Sequence, residues 1–320
     1  MRLTPLRMIA ALCTALPLTV AAQNFPSKPI TFIVPFAAGS ATDQIGRAIG
    51  QGVTEQTGQS VVIENRAGAS AMIGAQAGAR APADGYTVLI TTNTTHAANE
   101  HLYKSLPYDP VKDFSPVTLL GKGGQIMVIN PSSSAKTVGD FLALAKQSPG
   151  KLSFGSGSSS SRIAGELLQQ MADIKLLHVP YKSNPLAVTD LLGGQIDMMI
   201  TDTATGLPQV ASGKLRALGF TGSERSPLAP DLPTISEAGV PGYEMGYWFA
   251  AYVPDGTPDD VVARLHDLLA KATEGKAAKH FYESTGTAPA TSTPKELAEF
   301  QHAESKKWGE IIHKAGITPE

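Results

Sequence analysis

The sequence is poor in cysteine. Its 320 residues contain one, Cys13, which falls inside an apolar run near the N-terminus. The chain that follows has no thiol, and this excludes disulfides, a cysteine nucleophile and thiolate metal ligands. Leu12 precedes Cys13 where a lipoprotein signal would carry a small residue, so we expect no lipid anchor.

Charged residues are also scarce, at 17% of the chain, and the formal net charge is only −2. No basic stripe stands out, so we expect no nucleic-acid partner. After the N-terminal run, no apolar stretch approaches the ~20 residues that a membrane span requires. Hydrophobic residues make up 42% of the chain, which is typical of a globular protein, and the length suffices for two domains.

Residues 1–22 have the pattern of a secretory signal peptide. Arg2 and Arg7 supply the positive start, residues 8–20 the apolar core, and Val20-Ala21-Ala22 a small-residue cleavage site. We therefore predict export through a cleavable signal and a mature protein in the periplasm.

Short apolar strands alternate with helices along the rest of the chain, which predicts an α/β fold with parallel-rich sheets flanked by helices. The first strand, 30–34, runs into a small-residue loop and then a helix that Thr42 or Asp43 can cap. Backbone N–H groups and the helix dipole favour an anion there. The alternative is an ordinary first turn of a parallel sheet.

Two further loops follow predicted strands. Residues 92–96 form a polar loop after the third strand, and 155–161 form a Ser/Gly-rich loop that ends at Arg162. The second loop is not a nucleotide motif, because Ser160 stands where G-x-G-x-x-G needs glycine. It is either a solvated linker or a binding loop in which Arg162 holds a carboxylate. Later strands are predicted at 127–129, 152–154, 176–179, 196–200, 215–220 and 247–253.

The chain offers no motif for metal or cofactor binding. His96, Glu100 and His101 have a spacing that fits no zinc motif, and we predict no metal and no cofactor. Trp248 is either a core residue or a wall of the ligand site.

Short motifs recur in a fixed order along essentially the whole mature chain. They include Phe25-Pro26-Ser27-Lys28-Pro29, Val62-Ile63-Glu64-Asn65-Arg66-Ala67-Gly68, Asp84-Gly85-Tyr86-Thr87, Leu106-Pro107-Tyr108-Asp109-Pro110, Val179-Pro180-Tyr181-Lys182 and Pro254-Asp255-Gly256-Thr257-Pro258. In this combination the chain resembles the periplasmic solute receptors of tripartite tricarboxylate transporters, often called Bug proteins.

The resemblance implies a two-domain periplasmic binding protein of the type II-like class, with the ligand cleft between the domains. Domain 1 would hold residues 23–123 plus 253–320, and domain 2 residues 124–252. It further implies a monomeric, non-enzymatic receptor that captures a small organic carboxylate. The receptor would deliver that ligand to the membrane permease subunits of the transporter.

The family's binding loops correspond to a set of residues here. The predicted ligand-binding residues are Phe36, Ala38, Gly39, Ser40, Thr42, Asp43, Thr92, Asn93, Ser156, Ser158, Ser159, Ser160, Arg162, Tyr181, Asp202 and Trp248. The first loop reads Ala38-Gly39-Ser40 where the family commonly has Pro-Gly-Gly. Arg162 stands where an uncharged residue or histidine is more usual. Its charge favours a dicarboxylate, which could be aromatic if Phe36 or Trp248 lines the cleft.

Two other functions stay open at this stage. A sensor that passes its ligand-bound form to a signalling partner would need the same closure as a transport receptor. An exported hydrolase could use a serine of 156–161, with His178 as the base nearest in sequence.

Overall fold

The computed structural model describes residues 25–319. The predicted signal peptide, with Cys13, lies outside these residues. The helices and strands in chain order are β1 (Ile30–Val34), α1 (Ala41–Thr57), β2 (Val61–Asn65), α2 (Met72–Ala79), β3 (Thr87–Thr92), a π-helical segment (Thr94–Ala98), α3 (Asn99–Leu102), β4 (Phe114–Ile129), α4 (Val138–Gln147), β5 (Ser153–Ser156), α5 (Ser159–Ala172), β6 (Leu177–Pro180), α6 (Asn184–Leu192), β7 (Met198–Asp202), α7 (Thr203–Ala211), β8 (Arg216–Phe220), β9 (Gly246–Pro254), α8 (Asp259–Ala272), α9 (Lys276–Thr285) and α10 (Pro294–Lys314).

The strands form one continuous path, β2-β1-β3-β9-β4-β7-β5-β6, and β8 pairs with β4. We call β2, β1, β3, β9 and residues 114–124 of β4 the first half of the sheet. The second half comprises residues 125–129 of β4 with β7, β5, β6 and β8. Pairs among β1, β2 and β3 are parallel, as are those of β5 with β6 and β7, whereas every pair of β4 or β9 is antiparallel. The predicted α/β fold class is confirmed.

The strand β4 joins the two halves. It pairs with β9 as far as Gly124, and from Gln125 onward it pairs with β7, joined at Ile126 by β8. The sequence predicted only residues 127–129 of this strand, because the polar, glycine-rich middle does not look like a strand. Glycine is needed at 123, since a Cβ there would collide with the ring of Tyr247.

Helices cover the sheet on both sides. The apolar faces of α1, α8 and α9 share one core with the first half, which includes Ile45, Ile49, Leu265 and Phe281. The last helix, α10, packs against α5 and β4. Its first turn carries a capping box between Thr293 and Glu296, which satisfies otherwise free N–H groups.

Three local predictions were wrong. The cap of α1 is Ser40, not Thr42 or Asp43. The polar loop 92–96 passes into a π-helical segment from Thr94, and the Ser/Gly loop is largely regular, because β5 reaches Ser156 and α5 starts at Ser159. The run of serines at 158–161 was interpreted as a loop because serine is uncommon inside helices. Serine is nevertheless favoured at a helix start, and Ser158 caps α5. Within residues 25–319 no helix is long and apolar enough to cross a membrane.

Candidate functional site

A cavity lies where the strand ends of the two halves meet. We call it the central cavity. The loop after β1 and the end of β3 contribute from the first half, and β7 and the start of α5 from the second. Its lining residues are Phe36, Ser40, Ala41, Thr42, Thr92, Asn93, Gln125, Ser158, Ser160, Asn184, Asp202, Tyr247 and Phe249.

The N-terminus of α1 forms one wall. Ser40 caps this helix, and its Oγ accepts a hydrogen bond from the Asp43 N–H at 3.2 Å. Asp43 does not line the cavity. Its carboxylate accepts hydrogen bonds from Gly39 N at 2.9 Å and Asn65 Nδ2 at 2.9 Å, and it pairs with Arg47 at 2.9 Å. Asp43 therefore fixes the loop from behind.

These bonds also set the ionisation of Asp43. Burial alone would raise the pKa of its carboxyl, but the hydrogen bonds from Arg47, Gly39 and Asn65 outweigh that effect and lower it. The negative charge of Asp43 is thus matched by Arg47 outside the cavity.

The N-terminus of α5 forms the facing wall. Ser158 caps this helix by accepting a hydrogen bond from Ser161 N at 3.2 Å. Behind the cap, Asn184 Oδ1 accepts hydrogen bonds from Gly157 N at 3.1 Å and Ser161 Oγ at 2.9 Å. At α5, a neutral amide accepts the hydrogen bonds that hold the loop, whereas at α1 the Asp43 carboxylate accepts them.

The end of β7 places a carboxylate at the cavity. Asp202 caps α7, with Oδ1 accepting from Thr205 N at 2.8 Å and Oδ2 from Asn184 Nδ2 at 2.9 Å. Among the described residues that line the central cavity, Asp202 is the one with a charged side chain.

Two amides at the cavity have unused hydrogen-bonding groups. Asn93 is fully buried, and neither Nδ2 nor Oδ1 finds a partner among residues 25–319. Gln125 is 1% exposed, and its Oε1 likewise has no partner in that part of the chain. Buried polar groups are nearly always hydrogen-bonded in folded proteins, so both side chains indicate a ligand or ordered water in the cavity.

Aromatic rings close the remaining side. Phe36, Tyr247 and Phe249 line the cavity. The Tyr247 hydroxyl lies 3.1 Å from Thr203 Oγ1 and 2.9 Å from Thr287 Oγ1. Burial raises the pKa of Tyr247 to about 12, so this hydroxyl stays neutral.

Trp248 points away from the cavity, because successive side chains of a strand face opposite sides. Its indole Nε1 donates to Glu304 Oε2 at 3.0 Å, and Trp308 Nε1 donates to the same oxygen at 3.3 Å. Its ring packs on Phe300 of α10. The expected ligand wall at Trp248 is therefore corrected to a core contact.

Several other predicted site residues lie outside the lining. Ala38 and Gly39 are exposed on the first loop. Ser159 Oγ donates to Asn99 Oδ1 at 2.6 Å, linking α5 to α3. The Tyr181 hydroxyl donates to Asp190 Oδ2 at 2.7 Å, within the second half. The hydroxyls of Ser159 and Tyr181 are therefore bonded to protein groups and not to the cavity.

Arg162 is also outside the lining. It lies one turn into α5, where its charge opposes the rise that burial causes in the pKa of Glu166.

Residues 45–317 match the family described as "Tripartite tricarboxylate transporter family receptor". The chain belongs to this receptor family. Its relatives include protein BugT of Bordetella pertussis, 33% identical over 93% of this chain and 92% of that protein. A protein from the tcbD-tcbE intergenic region of Pseudomonas sp. (strain P51) is 38% identical over 90% of this chain and 86% of its own length.

Solved receptors have the same fold. An R. palustris protein solved with adipate matches with a TM-score of 0.90 and 33% identity, over 93% of this chain and 100% of that one. The periplasmic binding protein BugD matches at 0.89 and 30%, covering 92% and 100%. MatC from Rhodopseudomonas palustris, with bound malate, matches at 0.85 and 29%, covering 90% and 100%. The resemblance to the receptor family is confirmed.

Five lining residues of this receptor were absent from the sequence prediction: Ala41, Gln125, Asn184, Tyr247 and Phe249. Tyr247 and Phe249 could have been found, since they alternate with Trp248 along a strand. Gln125 could not, because the strand that carries it was not predicted at that point.

One feature of the receptor matches the hydrolase alternative. Ser156 Oγ lies 2.7 Å from His178 Nε2. Ser156 is 4% exposed in β5 and does not line the central cavity, while the His178 ring stacks on Phe154. The pair joins neighbouring strands inside the second half.

His96 and His101 have separate environments. His96 is buried between Phe114 and Tyr252, with Nδ1 at 2.8 Å from Thr95 Oγ1. His101 Nε2 lies 3.0 Å from Ser305 Oγ. The two imidazoles thus have different partners, and residues 25–319 contain no group of three or more His, Cys, Asp or Glu side chains placed to hold a metal ion.

Proposed function

We propose that this receptor captures a small organic carboxylate in the central cavity and delivers it to the membrane permease subunits of a tripartite tricarboxylate transporter. The observation that carries the proposal is the buried Asn93 amide, whose two polar atoms lack protein partners at a cavity where helix N-termini converge. The adipate and malate held by two related structures support the ligand class.

The lining favours an anion through backbone and neutral groups. Ser40 and Ser158 mark the starts of α1 and α5, where N–H groups and helix dipoles stabilise negative charge. The lining residues within 25–319 include no lysine or arginine. A carboxylate would therefore be held by N–H groups, hydroxyls, amides or bridging water.

The proposal includes two lobes that close over the ligand, residues 23–123 plus 253–320 and residues 124–252. The change of partners along β4 near Gln125 supports the first boundary. The pairing of Gly246 with Gly124 favours moving the return boundary to Gly246 and giving β9 to the first lobe. We further propose a monomeric periplasmic protein, exported by cleavage after residue 22, with no catalytic activity.

A thermal-shift screen tests the ligand class. The chain without its first 22 residues is heated with mono-, di- and tricarboxylates, amino acids and neutral sugars. A ligand at 100 times its dissociation constant should stabilise the protein by about 2.7 kcal/mol. Stabilisation by sugars and by no acid would contradict the proposal.

Two variants locate the site. Asn93→Leu should weaken the best acid by about tenfold or more, because a buried amide that contacts the ligand is lost. Arg162→Ala is the matched control outside the lining and should change affinity by less than about threefold. Calorimetric titration measures both, and the reverse order would move the site to Arg162.

Two further measurements distinguish the proposed receptor from a hydrolase and from a sensor. The Ser156–His178 contact would favour hydrolysis only if a bound compound were consumed, so each ligand is recovered after incubation and analysed. Unchanged ligand supports a receptor. A sensor would bind the same acids, and uptake of labelled ligand by cells with and without the permease distinguishes it.

A further inference from the structure

The lining residue Gln125 lies at the point of β4 where the partner strand changes from β9 to β7. It lies on β4 at the first residue that pairs with β7, directly opposite Asp202. Its backbone is fixed on the other side, because its N–H donates to Thr221 Oγ1 at 2.6 Å and its carbonyl accepts from Thr221 N at 2.9 Å. The backbone of Gln125 is therefore fixed at the junction of the two halves.

The side chains of Gln125 and Asp202 form one wall of the cavity. Residues directly opposite in an antiparallel pair project on the same side of the sheet. Gln125 Oε1 is a buried acceptor without a partner in residues 25–319. Asp202 adds a negative charge. Its Oδ2 accepts hydrogen bonds from Asn184 and, at 3.5 Å, from Thr201, whereas Oδ1 accepts from Thr205 N and retains capacity for a further donor.

The start of α1 presents the opposite character. There, the charge of Asp43 is matched by Arg47 outside the cavity, and the helix N-terminus faces inward. The cavity is thus receptive to negative charge at α1 and to a hydrogen-bond donor at Gln125 and Asp202.

We propose that Gln125 and Asp202 make this receptor selective for carboxylic acids that carry a hydroxyl or ammonium donor, against plain acids of the same length. The inference rests on the proposed function, whose carboxylate class it narrows. A plain acid can accept a hydrogen bond from the Gln125 Nε2 but leaves the Oε1 acceptor unpaired beside the Asp202 carboxylate, and unpaired buried groups give strong discrimination.

Matched acids test the preference in the unmodified protein. Calorimetric titrations compare succinate with malate and aspartate, and glutarate with 2-hydroxyglutarate and glutamate. At the chain length that binds best, a substituted acid should bind at least about tenfold more tightly than the plain one. Equal binding, or tighter binding of the plain acid, would overturn the inference and leave the carboxylate receptor intact.

Two variants assign the preference to its residues. Gln125→Met keeps the volume and removes the amide, so the ratio between substituted and plain acid should fall at least about threefold, with Asp202 sustaining what remains. Asp202→Asn retains a cap for α7 and removes the charge, so plain diacids should bind at least about threefold better and ammonium-bearing acids worse.

The control is Gln170→Met, the same change at an exposed position of α5. It should leave every affinity unchanged. An unaltered ratio in Gln125→Met would assign the preference elsewhere and overturn the inference. Failure of all the acids to bind the unmodified protein would instead overturn the proposed function, and this inference with it.

Discussion

The two helix starts that face each other across the central cavity are built from different chemistry. Behind α1, a buried carboxylate, Asp43, gathers Gly39, Asn65 and Arg47. At α5, the neutral Asn184 accepts hydrogen bonds from Gly157 N and Ser161 Oγ and donates one from Nδ2 to Asp202 Oδ2.

This difference determines where charge lies. In the first half, the negative charge is behind the helix and has a cation beside it. In the second half, the negative charge of Asp202 is on the cavity wall itself. Two turns with the same strand–loop–helix order therefore offer a ligand unlike surroundings, and a carboxylate is better placed at α1.

The largest effect is expected where the buried charge is removed. Asp43→Ala leaves Gly39, Asn65 and Arg47 without their shared acceptor, and it should lower the free energy of unfolding by about 3 kcal/mol. Asn184→Ala, the counterpart in the second half, should cost about 2 kcal/mol because the lost bonds are mostly between neutral groups. Urea denaturation measures both, and a larger loss for Asn184→Ala would reverse the comparison.

Acid should lower the free energy of unfolding through His96, which lies in the π-helical segment after β3. Burial lowers the pKa of His96 to about 3, whereas an unfolded histidine titrates near 6.5. The unfolded state therefore binds more protons between these values, and stability falls as the pH drops through this window. Between pH 7 and pH 5 the loss from this group should be about 2 kcal/mol.

Urea denaturation of the wild type and of His96→Gln at both pH values isolates this contribution, because the carboxylates titrate alike in the two proteins. The variant should lose about 2 kcal/mol less than the wild type over the same interval. Parallel curves would show that His96 is protonated within the fold.

The smallest effects on stability are expected at the two helix caps, and they compare the starts of α1 and α5 directly. Ser40→Ala and Ser158→Ala each remove a helix cap and should each cost about 1 kcal/mol of stability. Their effects on binding should differ, since we place the carboxylate at α1. Ser40→Ala should weaken a simple carboxylate by about 1.5 kcal/mol and Ser158→Ala by less. Equal losses would mean that both helix starts share the charge.

Much of the fold was predictable because its elements have strong local patterns. The strand predicted at 30–34 is β1, and the strand predicted at 247–253 lies within β9. The strand β4 was mostly missed, since its sixteen residues include polar and glycine positions that become strand only by pairing with β9 and β7. Strand pairing between distant segments overrides local preference.

The residues of the site likewise fall into those that local sequence patterns predict and those that depend on the tertiary structure. Ser40, Thr92, Asn93 and Ser158 were predicted because they follow strands or open helices, and each lines the cavity. Arg162, expected in a loop, lies one turn into α5 and is not among the residues that line the cavity. Gln125 was missed because its place at the cavity depends on the pairing of β4 with β7.

Glu304 brings the two tryptophans of the chain together, and this determines where the fluorescence of the protein originates. Both tryptophans of the chain donate to this one carboxylate, Trp248 from β9 and Trp308 from α10. Nearly all ultraviolet emission therefore originates at one point, on a strand that borders the junction of the halves. Native fluorescence therefore reports on the surroundings of this one carboxylate, without any dye, label or engineered probe.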